Sequence, residues 1–120
     1  MRRRLIPLAL LATLAIGATA YAEPPTVHLV IKDRVFTVQE LMLPADTKVK
    51  LVVQNQDSIP AEFESYDLSR EVVVPGHSSI VVYIEPLAPG RYNFFNDFNH
   101  AAQGWVVVNA PAERKTGGRK

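Results

Sequence analysis

The sequence predicts an all-β domain, a sandwich of seven or eight short strands, from three observations. Apolar segments rich in Val and Ile recur about every ten residues, which is typical of a β-sandwich or small barrel. Turn-forming Pro, Gly, Asn and Asp separate them, and the nine prolines of the chain would interrupt helices but are tolerated at strand ends. No window keeps a helical apolar period beyond about two turns.

The strands follow one another along the chain with clear stops. Residues 47–53 alternate polar and apolar side chains, as a half-buried strand does, and end at Asn55-Gln56-Asp57. Pro75-Gly76 and Pro89-Gly90 mark two later turns. Val38–Met42 is the best candidate for a short helix. Strands are predicted at residues 26–31, 35–38, 47–53, 62–66, 71–74, 79–84, 91–95 and 105–108.

The first 22 residues have the three parts of an export signal. Arg2–Arg4 are basic, Leu5–Ile16 are mostly apolar, and Ala20-Tyr21-Ala22 has the A-x-A pattern of a cleavage site. The apolar stretch is shorter than the roughly 20 residues of a transmembrane helix; the alternative is an uncleaved N-terminal anchor. We predict a signal peptide at 1–22 cleaved after Ala22, a periplasmic folded domain at 23–110 without membrane insertion, and a disordered basic tail at 111–120.

Charge and cysteine content exclude several functions. Without the first 22 residues the chain has ten basic and twelve acidic residues, and four of those bases lie in the tail. A nucleic-acid partner, which would need a basic face, is therefore not expected. The chain has no cysteine, so disulfides, thiol catalysis and soft thiolate metal ligands are absent. No Ser-His-Asp arrangement, phosphate-binding Gly loop or hydrolytic acid/base pair stands out, and no catalytic residue is predicted.

Two acidic segments are candidates for a metal site. If residues 62–66 are extended, the carboxylates of Glu62 and Glu64 project from the same face about 6.5–7 Å apart, with Phe63 on the other. The second segment places Asp97 and His100 three residues apart among phenylalanines, where partly dry surroundings strengthen metal–ligand electrostatics. Either segment alone also fits a solvated surface without a metal.

A family resemblance connects the two segments. Pro89-Gly90-x-Tyr92-x-Phe94, followed by a loop with His100 and then a Val-rich last strand, resembles the C-terminal part of a cupredoxin. The similarity covers residues 35–109 and implies a Greek-key β-sandwich, hence a cupredoxin-like domain at 23–110. In that family two loops enclose a metal at one end of the sandwich, which would bring Glu62 and Glu64 near Asp97 and His100.

The chain departs from the cupredoxin pattern at the copper ligands. By alignment, Asn96 replaces the cysteine, the upstream histidine falls near Glu62, and the axial methionine falls near Trp105. Only His100 matches a ligand position in type. A blue copper centre needs a thiolate and two imidazoles, so a type-1 site is excluded.

A narrower resemblance concerns Pro60-x-Glu62-Phe63-Glu64 together with Tyr92-x-Phe94-Phe95-x-Asp97-Phe98. This combination is similar to the cupredoxin-like periplasmic components of bacterial ferrous-iron uptake systems that work with a membrane iron permease. The resemblance implies an iron or copper ion bound by Glu62, Glu64, Asp97 and His100. It also implies the permease and other periplasmic uptake components as partners. Carboxylates are hard ligands that suit iron, although Cu(II) competes on affinity.

Other functions stay open at this point. The alternatives are a copper-handling periplasmic protein and a metal-free module whose acidic end binds a protein. We do not expect an enzyme, because no second redox centre is evident, but ferroxidase activity is left open. His28, His77 and Met42 fit a metal site less well than the four named residues.

Overall fold

The structure is a computed structural model that describes residues 22–111 without a break, together with residues 2–5, 7, 9, 12, 13 and 17. The predicted signal peptide therefore lies largely outside the described residues, and the predicted tail lies outside them after Pro111. The described part contains strands and no helix, and so no helix that could cross a membrane. The nine strands are β1 (Thr26–Lys32), β2 (Val35–Phe36), β3 (Glu40–Leu43), β4 (Val49–Asn55), β5 (Ala61–Ser65), β6 (Arg70–Val74), β7 (Ser78–Ile84), β8 (Gly90–Asn96) and β9 (Asn99–Val108).

The strands form two sheets packed face to face, as predicted. One sheet has the order β2-β1-β4-β7 and the other β3-β9-β8-β5-β6. The pairs β1–β4 and β3–β9 are parallel, and the remaining pairs are antiparallel. Strands β4 and β8 run toward one end of the sandwich, where Asn55 and Asn96 lie, and β5 and β9 run away from that end. We call this the Asn55/Asn96 end.

The core consists of apolar side chains that the two sheets direct toward each other. Phe63 and Phe94 are fully buried, with their ring centroids 5.5 Å apart, and Phe36 meets Phe94 edge-on at 4.8 Å. Gly104 pairs with Phe94 across β8 and β9, and a Cβ at Gly104 would lie 2.3 Å from Phe94 Cζ. A glycine is therefore required there, because the ring occupies the space of a side chain.

Residues 38–42 are not helical, so that prediction was wrong. Glu40–Leu43 is strand β3, at the edge of the five-stranded sheet and parallel to β9. Leu41 and Leu43 are buried whereas Glu40 and Met42 are exposed, which is the period of two of a strand. Four residues are too few to separate this period from one turn of a helix, and the pairing with β9 decides between them.

The segment between Phe94 and Trp105 also differs from the expected loop. Strand β8 extends to Asn96 and β9 begins at Asn99, so that only Asp97 and Phe98 connect them. His100 is thus a strand residue. The sequence failed to indicate this strand because residues 99–104 are polar or small.

Candidate metal centre

Glu62 and Glu64 project from the outer face of the five-stranded sheet. Phe63 between them points into the core, so its two neighbours point away from it. Strand pairing places Phe95 beside Glu64 on this same face. Although they are on the outside, Glu62 and Glu64 are only 4% and 8% exposed. The extended geometry predicted for residues 62–64 is present, but the solvated surface that was its alternative is not.

Asp97 completes a cluster of three carboxylates. Glu62, Glu64 and Asp97 each offer an oxygen atom, and the three oxygens lie within 4.8 Å of one another. Asp97 reaches the cluster from the β8–β9 turn and keeps 43% of its side chain exposed. We call these three residues the acidic cluster. It combines two strand residues and one turn residue, whereas the family resemblance implied two loops.

His100 joins the acidic cluster through Asp97. Its Nε2 lies 3.0 Å from Asp97 Oδ1, and its ring meets the Phe95 ring edge-on with centroids 6.2 Å apart. The imidazole is 75% exposed. The structure thus brings the four predicted residues together, with His100 at the solvent side of the group.

Glu71 also faces the cluster, although the sequence did not indicate it as a site residue. In the β5–β6 hairpin Glu71 is paired with Glu64, so both side chains lie on the outer face. The sequence does contain the pattern of a hairpin here, with a strand that carries Glu62 and Glu64, a short turn, and a returning strand that begins near Glu71. Such a hairpin could have suggested that Glu71 lies near the other two carboxylates. Its register, which places Glu71 opposite Glu64, is visible only in the structure.

The crowding of carboxylates changes their protonation. Burial, the neighbouring Glu71 carboxylate and the charges of Asp97 and Glu64 together raise the pKa of Glu62 from 4.5 to about 7. Burial and the charges of Asp97 and Glu71 also raise the pKa of Glu64, although Glu62 and His100 act in the opposite direction. The Oε1 atom of Glu62 is buried and has no hydrogen-bond partner among the described residues. A positive charge at this point would compensate both features.

Asn96 holds the acidic cluster in place at the position that the alignment assigned to a cysteine. Its side chain is 3% exposed, and Oδ1 accepts hydrogen bonds from the N–H groups of Glu62, at 2.9 Å, and Phe98, at 3.1 Å. One amide thus ties the start of β5 to the turn that carries Asp97. The residue at the former ligand position has a structural role in this chain.

The other candidate residues lie elsewhere. His28 is on β1 of the opposite sheet, and His77 is in the β6–β7 turn with a φ of 52°. Met42 pairs with Val107, seven residues along β9 from His100, or about 23 Å at the usual rise per strand residue. Trp105, at the expected axial-methionine position, is on the outer face of β9 with Arg91 over its ring at 5.2 Å. None of the four belongs to the cluster.

Comparison with known proteins defines the family. Residues 4–108 match the family model of the cupredoxin-like domain. An uncharacterized protein of Rickettsia prowazekii (strain Madrid E) is 43% identical over 84 residues, which are 69% of this chain and 67% of that protein. The chain therefore belongs to the cupredoxin-like domain family.

Solved structures share the fold at low sequence identity. Auracyanin A, described as a blue copper protein of Chloroflexus aurantiacus, superposes with a TM-score of 0.61 at 17% identity, covering 72% of this chain and all of that one. Amicyanin of Paracoccus versutus gives a TM-score of 0.55 at 15% identity, covering 77% and 87%. The metal-binding domain of a Cu(I)-exporting P-type ATPase of Streptococcus pneumoniae D39 gives 0.61 at 10% identity, covering 71% and 85%.

The residues of this chain do not fit a blue copper ion. Such a centre needs a cysteine thiolate and two histidines, and the chain has no cysteine. The acidic cluster instead presents three carboxylates with one imidazole at its edge. This is a donor set of hard oxygens, which suits iron or manganese and also binds Cu(II).

Proposed function

We propose that this chain is a periplasmic metal-binding protein that accepts iron at the acidic cluster and His100 and delivers it to a membrane iron permease. The observation that carries the proposal is the buried, unpartnered Oε1 of Glu62 beside two further carboxylates. Grouping like charges in a partly buried place is unfavourable unless a cation or protons neutralise them. A bound metal ion would supply that charge and the missing partner.

The residues have distinct roles in this proposal. Glu62, Glu64 and Asp97 supply oxygen ligands, and His100 supplies nitrogen from the exposed side. The hydrogen bond that the Glu62 backbone N–H donates to Asn96 Oδ1 sets the start of β5, which orients the first carboxylate. The exposed edge at Asp97 and His100 is the side on which a metal enters and leaves. The periplasmic location rests on the export-signal pattern of the first 22 residues, and the permease partner rests on the sequence resemblance.

A copper-handling function is the second candidate, because the fold neighbours are described as copper proteins. Cu(II) is at the top of the divalent affinity series, so carboxylate and imidazole ligands alone do not exclude it. A third candidate is a metal-free interaction module. Ferroxidase activity would require an electron acceptor, such as a second metal ion, dioxygen or a redox partner, in addition to the bound iron.

Calorimetric titration of the purified chain with Fe(II) under anaerobic conditions and with Cu(II) tests the proposal. We expect one equivalent of Fe(II) to bind and to raise the melting temperature, because a ligand specific for the folded state stabilises it. Glu62→Gln should weaken binding by at least about tenfold, and the double variant Asp97→Asn, His100→Gln should weaken it further. Asp46→Asn, an acidic residue outside the cluster, is the matched control.

The outcomes separate the three candidates. Iron binding that depends on Glu62 and Asp97 supports the proposal. Tight Cu(II) binding without Fe(II) binding favours copper handling. If no transition metal binds or shifts the melting temperature, the chain is not a metal protein and the interaction module is favoured.

A further inference from the structure

A cleft adjoins the acidic cluster on the same outer face. It measures about 300 Å³ and is lined by Tyr66, Asn93, Phe95, Asp97, His100 and Gln103. We call it the Tyr66–Phe95 cleft. Its volume is at the lower end of the roughly 300–1,000 Å³ of small-molecule sites, which suits one side chain better than a large ligand.

Two aromatic rings form the apolar part of this cleft. The Tyr66 and Phe95 centroids are 5.3 Å apart with a 58° angle between the ring planes. Tyr66 is 76% exposed, the most exposed aromatic side chain of the described domain. The Tyr66 ring is therefore available to a partner.

The polar part of the cleft offers two amide oxygens and one carboxylate as hydrogen-bond acceptors. The Asn93 amide nitrogen already donates to the carbonyl of Gly104, at 3.1 Å, and the Gln103 amide nitrogen donates to the carbonyl of His100, at 3.2 Å. Each amide nitrogen thus places one of its two N–H groups on the backbone, and each amide oxygen is left as an acceptor for a ligand. Asp97 adds a half-exposed carboxylate. A ligand with several donors and a positive charge would match these acceptors.

On the same sheet face, another aromatic ring beside a carboxylate already has an arginine over it. Arg91 lies over the Trp105 ring at 5.2 Å and pairs with the Glu40 carboxylate at 2.9 Å. On the other sheet Lys48 lies over the Tyr83 ring at 5.4 Å. Within the described residues no cation lies over Tyr66 or Phe95, although a carboxylate is beside them as Glu40 is beside Trp105.

We propose that the Tyr66–Phe95 cleft binds an arginine side chain of a partner protein. A guanidinium group stacks on an aromatic ring and donates in its plane to a carboxylate and to amide oxygens, which a lysine ammonium does less well. The Arg91–Trp105–Glu40 contact shows this geometry within the chain itself. The site is adjacent to the exposed edge of the acidic cluster, so a partner anchored there would face the proposed metal exit.

The test is an NMR titration of the purified, isotope-labelled full chain without added metal, using Nα-acetyl-L-arginine amide as the probe. Saturable shifts should be confined to the amides around Phe95, Asp97 and Gln103, with a dissociation constant on the order of 1 mM or weaker. The citrulline analogue, which has nearly the same shape but no charge, should bind at least about tenfold more weakly. Equal shifts with citrulline would overturn the proposal.

Variants locate the site independently of metal binding. Tyr66→Ala should weaken arginine binding by about fivefold, whereas Tyr83→Ala, the matched control, should leave it unchanged. Glu62→Gln, which alters a carboxylate outside the cleft, should change arginine binding by less than about twofold although it weakens iron binding by at least about tenfold, so that the two proposals fail separately. Retained arginine affinity in Tyr66→Ala, or a lysine analogue that binds as tightly as arginine, would contradict an arginine site.

Discussion

Two groups of buried polar side chains lie close together in this domain and differ in how they are satisfied. At the Asn55/Asn96 end, Asn55 uses both its amide nitrogen and its oxygen, and the Asn96 oxygen accepts two backbone N–H groups. On the adjacent outer face, Glu62 is almost as deeply buried, yet its Oε1 has none. The first group stabilises the fold by itself, whereas the second requires a proton or a cation. Satisfied polar burial thus marks the scaffold, and unsatisfied polar burial marks the candidate site.

Asn55 should show the largest effect, a loss of stability. Its amide nitrogen donates to the carbonyls of Ile59, at 2.8 Å, and Val74, at 3.1 Å, and its oxygen accepts the N–H of Asp57, at 3.0 Å. Asn55→Ala leaves these groups unpaired, and we expect it to lower the free energy of unfolding by about 3 kcal/mol.

Urea denaturation measures this loss. Gln54→Ala on the same strand is the control, since Gln54 is exposed and should change stability by less than about 0.5 kcal/mol. Similar losses in both variants would show that the buried amide is not a special element of the scaffold.

Glu62 should show the opposite sign in the metal-free protein. Glu62→Gln removes a buried ionisable group that lies among other carboxylates and whose Oε1 is unpaired, and it should raise the free energy of unfolding at pH 7.5 by on the order of 1 kcal/mol. Thermal unfolding in the presence of a chelator measures it. A clear loss of stability would mean that the ionised carboxylate has a stabilising partner after all.

The pH dependence of stability sharpens the same contrast. The pKa of Glu62 is about 7 in the folded state, whereas its ordinary value of 4.5 applies to the unfolded chain. The folded state therefore binds the proton more tightly. The resulting stability is fully present below pH 4.5 and is lost as the pH rises to about 7. Unfolding of the metal-free chain at intervals between pH 4.5 and 8 should show this decline, and Glu62→Gln should flatten it. An unchanged slope in the variant would assign the decline to other groups.

The smallest effect is expected at the β1–β2 turn. Asp33 and Arg34 both have positive φ angles, 54° and 66°, and their N–H groups donate to the Asp57 carboxylate at 2.9 and 2.8 Å. A left-handed conformation is costly for arginine and not for glycine. Arg34→Gly should therefore stabilise the domain by about 0.5–1 kcal/mol in denaturant unfolding, with metal affinity unchanged. Destabilisation would show that the arginine side chain has a contact that offsets the strain.

The sequence predicts the fold better than the site. The pattern of neighbouring residues is enough to indicate a strand, whereas the residues that meet in a site are set by the register between strands that are distant in sequence. The alternation around Val49–Asn55 and the turns at Pro75-Gly76 and Pro89-Gly90 are local, and those elements were predicted correctly. Strand β3 escaped prediction because its pairing with β9 is remote in sequence. Glu71 was missed for the same reason, since only the hairpin register places it opposite Glu64.

The directions of the strands have a practical consequence for attachment. Strand β1 enters the sandwich at Thr26, opposite Lys50, and β9 leaves it at Val108, opposite Gly90, both at the end farthest from Asn55 and Asn96. A fusion tag, surface linker or fluorophore joined near either position would thus point away from Asp97 and His100. Immobilising the domain through these ends should leave the acidic cluster and the Tyr66–Phe95 cleft accessible to ions and partners.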